Sequence, residues 1–126
     1  MIWIVDDDTD EAYLLTRALS RRVSGLQLQC FHSPMLALES LELPSTELPT
    51  LVVTDLNMPG IDGLGFLSCF EAACIKKQAP CPTFLLASSV LPDNWQELIQ
   101  IINCPVIVLQ KPDLPQEFAR IIASYT

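Results

Sequence analysis

The chain has 126 residues, half of them hydrophobic, so it is long enough for one folded domain and too apolar for a disordered tail. Seven lysines and arginines against fifteen aspartates and glutamates give a formal net charge of -8. This balance argues against a nucleic-acid surface, because phosphate binding depends on clustered cations. Asp6 cuts the apolar start far short of a membrane span and no basic segment precedes it, so we expect a cytoplasmic protein.

The cysteines are odd in number and include no C-x-x-C pair, so neither a disulfide framework nor a zinc site is predicted. They are Cys30, Cys69, Cys74, Cys81 and Cys104. We expect most of them to serve as small buried hydrophobic residues.

Five short apolar segments are predicted to be strands. They are residues 2–5, 26–31, 51–54, 84–87 and 106–109. The second segment mostly alternates between apolar and polar residues, which is typical of a half-covered strand near a sheet edge. The others are nearly continuous apolar runs, which are typical of strands buried on both faces of a parallel sheet.

A helix is predicted after each strand, and sequence signals mark the ends. Asp8 with Glu11 resembles a capping box, Gly25 closes that first helix, and Ser33 before proline opens the second. The later helices are predicted from 34 to about 43, over about 64–77, from after Pro92 to about 102, and from 115 onward. Five strands alternating with five helices predict one three-layer α/β domain, residues 1–126, with a parallel sheet and right-handed crossovers.

Polar side chains follow several strands at the point where each strand ends. Asp6 and Asp7 follow the first strand, Asp55 ends the third, Ser88 follows the fourth and Lys111 follows the fifth. Ligands of open parallel sheets bind at this edge. Clustered carboxylates repel one another and lose solvation, and a hard cation such as Mg²⁺ relieves both costs. Asp55 is then a plausible nucleophile toward a phosphoryl group, with Lys111 as a second positive contact.

Four further residues are expected to have structural or packing roles. Asp8 and Asp62 would lie at the starts of the first and third helices, where an acidic side chain is favourable. Gly63 would allow a tight turn. His32 follows the second strand, away from the predicted site, and a surface or packing role is favoured for it.

Three motifs resemble those of response regulator receiver domains, in the same order and at comparable separations. They are Val5-Asp6-Asp7-Asp8, Asp55-Leu56-Asn57-Met58-Pro59-Gly60-Ile61-Asp62-Gly63 and Lys111-Pro112. The resemblance covers nearly the whole chain, and the central motif is the specific one. It implies a flavodoxin-like (βα)5 fold with strand order 2-1-3-4-5. It also implies that a histidine kinase or phosphotransfer protein donates a phosphoryl group to the central aspartate.

The resemblance implies a role for each matching residue. Asp55 would be the phosphoacceptor and would contribute to the metal site. Asp7 would bind Mg²⁺ directly, Asp6 would hold it through water, and Asn57 would bind it through its backbone carbonyl. Lys111 would contact the phosphoryl oxygens, and its peptide bond to the following proline would be cis.

Two positions depart from the family pattern. The family has threonine or serine at the end of strand four, where the hydroxyl bonds the new phosphoryl group. Counting from Pro82 places Ala87 there, whereas a shift of one residue places Ser88 there, and we favour Ser88 as the functional hydroxyl. The family's aromatic switch residue lies three positions before the lysine, where this chain has Val108. Output is therefore expected to take another route, such as movement of the 88–95 segment with Trp95.

The leading interpretation is a stand-alone receiver with no output domain in this chain, which signals through contacts with an unknown downstream protein. It would phosphorylate itself from a donor and could dephosphorylate itself, without being a conventional turnover enzyme. By resemblance alone, a phosphorylation-linked homodimer would use helix four, strand five and helix five.

Two alternative functions stay open. The first is a receiver-like adaptor that binds partners independently of phosphorylation, and Ala87 and Val108 motivate it. The second is an aspartate-dependent phosphohydrolase. That class generally has a second acid two residues after its nucleophile, and this chain has Asn57 there.

Overall fold

The computed structural model describes all 126 residues and contains five strands and five α-helices. The strands are β1 (Ile2–Val5), β2 (Leu28–Phe31), β3 (Leu51–Asp55), β4 (Thr83–Ser88) and β5 (Val106–Gln110). The helices are α1 (Thr9–Arg22), α2 (Pro34–Leu41), α3 (Gly63–Lys77), α4 (Trp95–Leu98) and α5 (Pro115–Ala123). All neighbouring strands are parallel, in the order β2-β1-β3-β4-β5. The predicted fold class and strand order are confirmed.

Two apolar cores lie on opposite faces of the sheet. One packs against α2 and α3 and contains Trp3 and Phe84, whose rings both contact Phe70 edge-on. The other lies beneath α1 and α5 and contains Ile2 and Ile4 of the same strand as Trp3. Successive residues of β1 therefore enter opposite cores, which is why this strand is apolar throughout. The same alternation holds in β3 and β4.

Three helices are shorter than the sequence predicted. The second ends at Leu41 rather than at about residue 43. The first helix ends at Arg22, and Val23 is already extended, so Gly25 lies in the following turn at a φ of 74°. The segment predicted as a helix over residues 92–102 contains only the four residues of α4 and a 3₁₀ turn over Ile99–Ile101. Asn94, the N-cap residue of α4, makes no side-chain capping hydrogen bond, and none of the residues in these two short helices is buried. A helix without a buried face gains little from packing, which explains its shortness.

The sequence suggested no disulfide framework, and this expectation is wrong for one pair of cysteines. Cys81 and Cys104 form a disulfide, with their Cα atoms 5.6 Å apart. Each cysteine lies just before a strand, and those strands, β4 and β5, are neighbours in the sheet. Sheet topology rather than sequence spacing brings the two residues together. Of the others, Cys74 is buried, Cys30 is half-buried and Cys69 is exposed.

The helices do not meet the requirements of a membrane span. None combines enough length with a sufficiently apolar composition to cross a bilayer. The longest, α3, has 15 residues, whereas a span needs about 20.

Candidate functional site

The carboxyl edge of the sheet brings Asp6, Asp55 and Lys111 into contact. Asp6 directly follows β1, Asp55 ends β3 and Lys111 directly follows β5. The Lys111 Nζ lies 3.5 Å from Asp55 Oδ2 and 3.7 Å from Asp6 Oδ2. One ammonium therefore lies between two carboxylates that come from adjacent strands.

Glu11 makes the shortest contact with the lysine, and sequence reasoning missed it. Its Oε1 lies 2.7 Å from Lys111 Nζ. The predicted capping box does not close. Asp8 does cap α1 by accepting hydrogen bonds from the backbone N–H groups of Asp10 and Glu11, but the Glu11 side chain turns to Lys111. The helical spacing could have indicated this contact, because Glu11 lies four residues before the buried Leu15 and so shares its inward face.

Burial and the neighbouring charges together set the charge state of this cluster. Burial raises the pKa of the Asp6 carboxyl, while a hydrogen bond from the Asp8 N–H and the Lys111 ammonium partly lower it. Burial alone would lower the pKa of Lys111, but the hydrogen bond to Glu11 and the charges of Asp6, Glu11 and Asp55 raise it overall. Lysine is therefore held in its charged form. Three carboxylates share a single ammonium, so the cluster is short of positive charge.

The donor chemistry fits Mg²⁺, although the expected set of clustered acids is not assembled. No group of three or more acid, histidine or cysteine side chains is arranged to hold a metal ion, and Asp7 is exposed. Asp6, Asp55 and the Asn57 carbonyl are nevertheless oxygen donors of the kind that Mg²⁺ prefers. This ion commonly uses one or two carboxylates and keeps several waters. A cation suits this edge for two reasons: the oxygen donors can bind it, and the cluster is short of positive charge.

Asp55 is oriented by the loop that follows it. Its Oδ1 accepts a hydrogen bond from the Asn57 backbone N–H at 3.0 Å, while Oδ2 faces the lysine. Gly63 is required for close approach rather than for an unusual φ. A Cβ at this position would lie 2.7 Å from the Asp55 carbonyl oxygen and 2.9 Å from the Leu56 Cα. Asp62 caps α3 through the Gly65 N–H, as predicted.

Ala87, and not Ser88, lies beside the phosphoacceptor candidate. Ala87 is the register partner of Asp55, and it lines a small cavity of about 10 Å³ together with Asp55 and Lys111. The buried Ser88 hydroxyl accepts a hydrogen bond from the Asn57 side-chain amide at 3.1 Å and donates to the Val90 carbonyl at 2.8 Å. Because neighbouring strand residues face opposite sides, the one-residue shift sends this hydroxyl to the loop after β4.

Two further expectations about this edge are wrong. The Lys111–Pro112 peptide bond is trans, as are all others in the chain. Trans is the preferred form even before proline. His32 is not remote from the site, since its Nδ1 lies 3.4 Å from the backbone oxygen of Asp6. The short β2 pairs directly with β1, which brings the residue after β2 to the same edge.

No protein-family model matches the sequence. Over 65 residues, 52% of its length, the chain is 40% identical to the DNA-binding transcriptional regulator NtrC of Klebsiella pneumoniae, and it covers 13% of that protein. The chain therefore spans only a small part of this relative.

Two solved structures share the fold over almost the whole chain. The chemotaxis protein CheY4 of Vibrio cholerae superposes with a TM-score of 0.76 at 16% identity, covering 99% of this chain and 97% of that one. The phosphorylated cyanobacterial phytochrome response regulator RcpA gives 0.77 at 19% identity, covering 98% and 89%. The comparisons confirm the resemblance to response regulator receiver domains.

Proposed function

We propose that residues 1–126 form a phosphoacceptor receiver in which Asp55 takes a phosphoryl group from a histidine kinase or phosphotransfer protein. The observation that carries the proposal is the half-buried Asp55 carboxylate, which lies 3.5 Å from the Lys111 ammonium at the carboxyl edge of the sheet. The phosphorylated form would signal by altered contacts with a downstream protein.

The proposed step is an in-line transfer. A carboxylate oxygen of Asp55 forms a bond to phosphorus, while the bond from phosphorus to the donor's leaving atom breaks and the leaving group keeps the electron pair. The Asn57 N–H fixes one carboxylate oxygen and Lys111 faces the other. Lys111 would then offset charge on the transferred oxygens.

Mg²⁺ is part of the proposal. When bound, it would neutralise charge on the phosphoryl oxygens. The residues proposed to hold it are Asp7 directly, Asp6 through water, Asp55, and Asn57 through its backbone carbonyl. Support comes from their oxygen donors and from the excess of carboxylates around Lys111.

Intact-mass spectrometry after incubation with acetyl phosphate and Mg²⁺ tests the proposal. A single phosphoryl adduct is expected, and it should disappear in Asp55→Asn and in the presence of a chelator. Asp62→Asn is the matched control, because it makes the same change a few residues away and asparagine caps helices as well as aspartate does. The same adduct on Asp55→Asn would overturn the assignment of the phosphoacceptor.

The route of output is proposed to begin at Ser88. This hydroxyl links Asn57, two residues after the phosphoacceptor, to Val90 in the loop before α4. Val108 supplies no aromatic ring for the family's usual route. A shift of Asn57 on phosphorylation would therefore reach the 88–95 segment and Trp95 through Ser88. A phosphorylation-linked homodimer through α4, β5 and α5 stays a prediction.

Ala87 favours one alternative, the adaptor that works without phosphorylation. It places a methyl group beside Asp55 where the family has a hydroxyl. Partner binding that is equally tight for the unmodified protein and Asp55→Asn would support the adaptor. No contact favours the phosphohydrolase, because the Asn57 amide donates to Ser88 and supplies no second acid.

A further inference from the structure

We propose that Glu11 is a positioning residue that sequesters Lys111 in the unphosphorylated protein and so slows phosphorylation. This inference rests on the proposed function above. Three carboxylates surround Lys111 Nζ, but only the Glu11 oxygen, at 2.7 Å, lies within hydrogen-bonding distance. The Asp55 and Asp6 oxygens are at 3.5 and 3.7 Å. The lysine therefore makes its strong, charge-assisted hydrogen bond with Glu11 and not with the proposed phosphoacceptor.

Both partners of this ion pair are held by their backbones. Glu11 lies in the first turn of α1, which Asp8 caps and the neighbouring buried Ala12 anchors to the core. The Lys111 N–H donates to the Ser88 carbonyl at 2.8 Å. Since neither end moves freely, the lysine reaches a phosphoryl group best by exchanging its side-chain partner.

Glu11 is also the partner that the lysine can release most easily. Its side chain is 44% exposed, whereas that of Asp6 is 9% exposed and that of Asp55 is 21% exposed. A released Glu11 carboxylate can be hydrated by water, which limits the cost of breaking the pair. A phosphoryl group on Asp55 replaces the single carboxylate charge with roughly two negative charges, a net gain of about one beside the lysine, and so draws it away from Glu11.

This exchange predicts a separation of two rates. Transfer to Asp55 has to break the Glu11–Lys111 pair, so Glu11→Gln should accelerate it. In the phosphorylated protein the lysine has already changed partners. Hydrolysis, in which a water oxygen attacks phosphorus, the bond to Asp55 breaks and phosphate leaves, should therefore keep its rate. A variant that merely disturbed the fold would not show this separation.

The test measures both rates by intact mass, with acetyl phosphate as the donor and Mg²⁺ present. Glu11→Gln should raise the transfer rate about three- to fivefold, the size expected for an ion pair with a half-exposed partner. Asp10→Asn is the matched control, because Asp10 carries the same charge in the same helical turn and forms no ion pair. It should leave both rates unchanged.

The outcomes separate the two proposals. If the unmodified protein is labelled at Asp55 and Glu11→Gln reacts at the same rate, the role of Glu11 is overturned and the receiver stands. Equal acceleration by Asp10→Asn also overturns it, since general repulsion of the anionic donor would then be the cause. If no protein is labelled, the receiver proposal fails and the lysine has no phosphoryl group to move to.

Discussion

The carboxyl edge of the sheet is built differently on its two sides. On the side of β1 and β3, Asp6 and Asp55 are held around Lys111 by strand ends and by a capped helix. On the side of β4, the chain leads into exposed residues such as Val90 and into α4, which buries none of its side chains. On the first side the charged side chains are held in place, whereas the second side has little packing to resist movement. Under the proposed function, the contrast predicts that phosphorylation and output can be altered separately.

The largest expected effect is on the fixed side. In Gly63→Ala the added Cβ would meet the backbone of Asp55 at 2.7 Å, so β3 and α3 must separate. We expect a loss of about 1–3 kcal/mol in the free energy of unfolding, measured by urea denaturation, together with slower labelling of Asp55. Gly65→Ala is the control, because its Cβ meets side-chain atoms of Ile61 and Asp62 that can move. Equal losses in the two variants would contradict a special role for Gly63.

The next effect concerns the segment between α4 and β5. Buried Glu71 of α3 accepts hydrogen bonds from the backbone N–H and the side-chain amide of Asn103, at 3.2 and 2.9 Å. Glu71→Ala should cost about 1–3 kcal/mol, because the Asn103 groups lose a charged partner. Hydrogen exchange should quicken over residues 99–104 while the edge near Asp55 stays protected. Exchange that quickens equally at both places would erase the contrast between the sides.

A smaller effect is expected at the link between the two sides. Ser88→Ala removes the bonds to Asn57 and Val90 and should cost about 0.5–1.5 kcal/mol. Asp55 should still be labelled at its normal rate, while any change in Trp95 fluorescence on phosphorylation should shrink. Ser89→Ala, at an exposed neighbouring position, is the control. A severalfold change in the labelling or hydrolysis rate would instead make Ser88 a direct partner of the phosphoryl group.

The smallest perturbation is a thiol-labelling experiment on the native protein, counted by mass spectrometry without reductant. Exposed Cys69 should react first. Cys74 should resist because it is buried and because burial raises the pKa of its thiol, which lowers the reactive thiolate fraction. Cys81 and Cys104 should react only after reduction. Rapid labelling of either one without reductant would show that the pair does not join the beginnings of β4 and β5.

The sequence predicted the fold well because buried parallel strands leave a clear pattern. The runs in β1 and β3 are apolar throughout because both faces are covered, and the residues that end them are acidic. The features that could not be predicted depend on the direction of a side chain or on contacts between residues far apart in the sequence. In the sequence, Glu11 fitted a capping box as well as it fitted an ion pair. Only the folded structure shows that its side chain turns toward Lys111. The cysteine pair is 23 residues apart and depends on strand order.

Every ion pair in this protein ends on one atom, the Lys111 Nζ. The four arginines and two other lysines form none. Dissolved salt therefore screens attractive pairs at a single place, and folding owes little to ion pairing elsewhere. Acetylation of Lys111 would remove all three pairs in one step and leave both apolar cores unchanged.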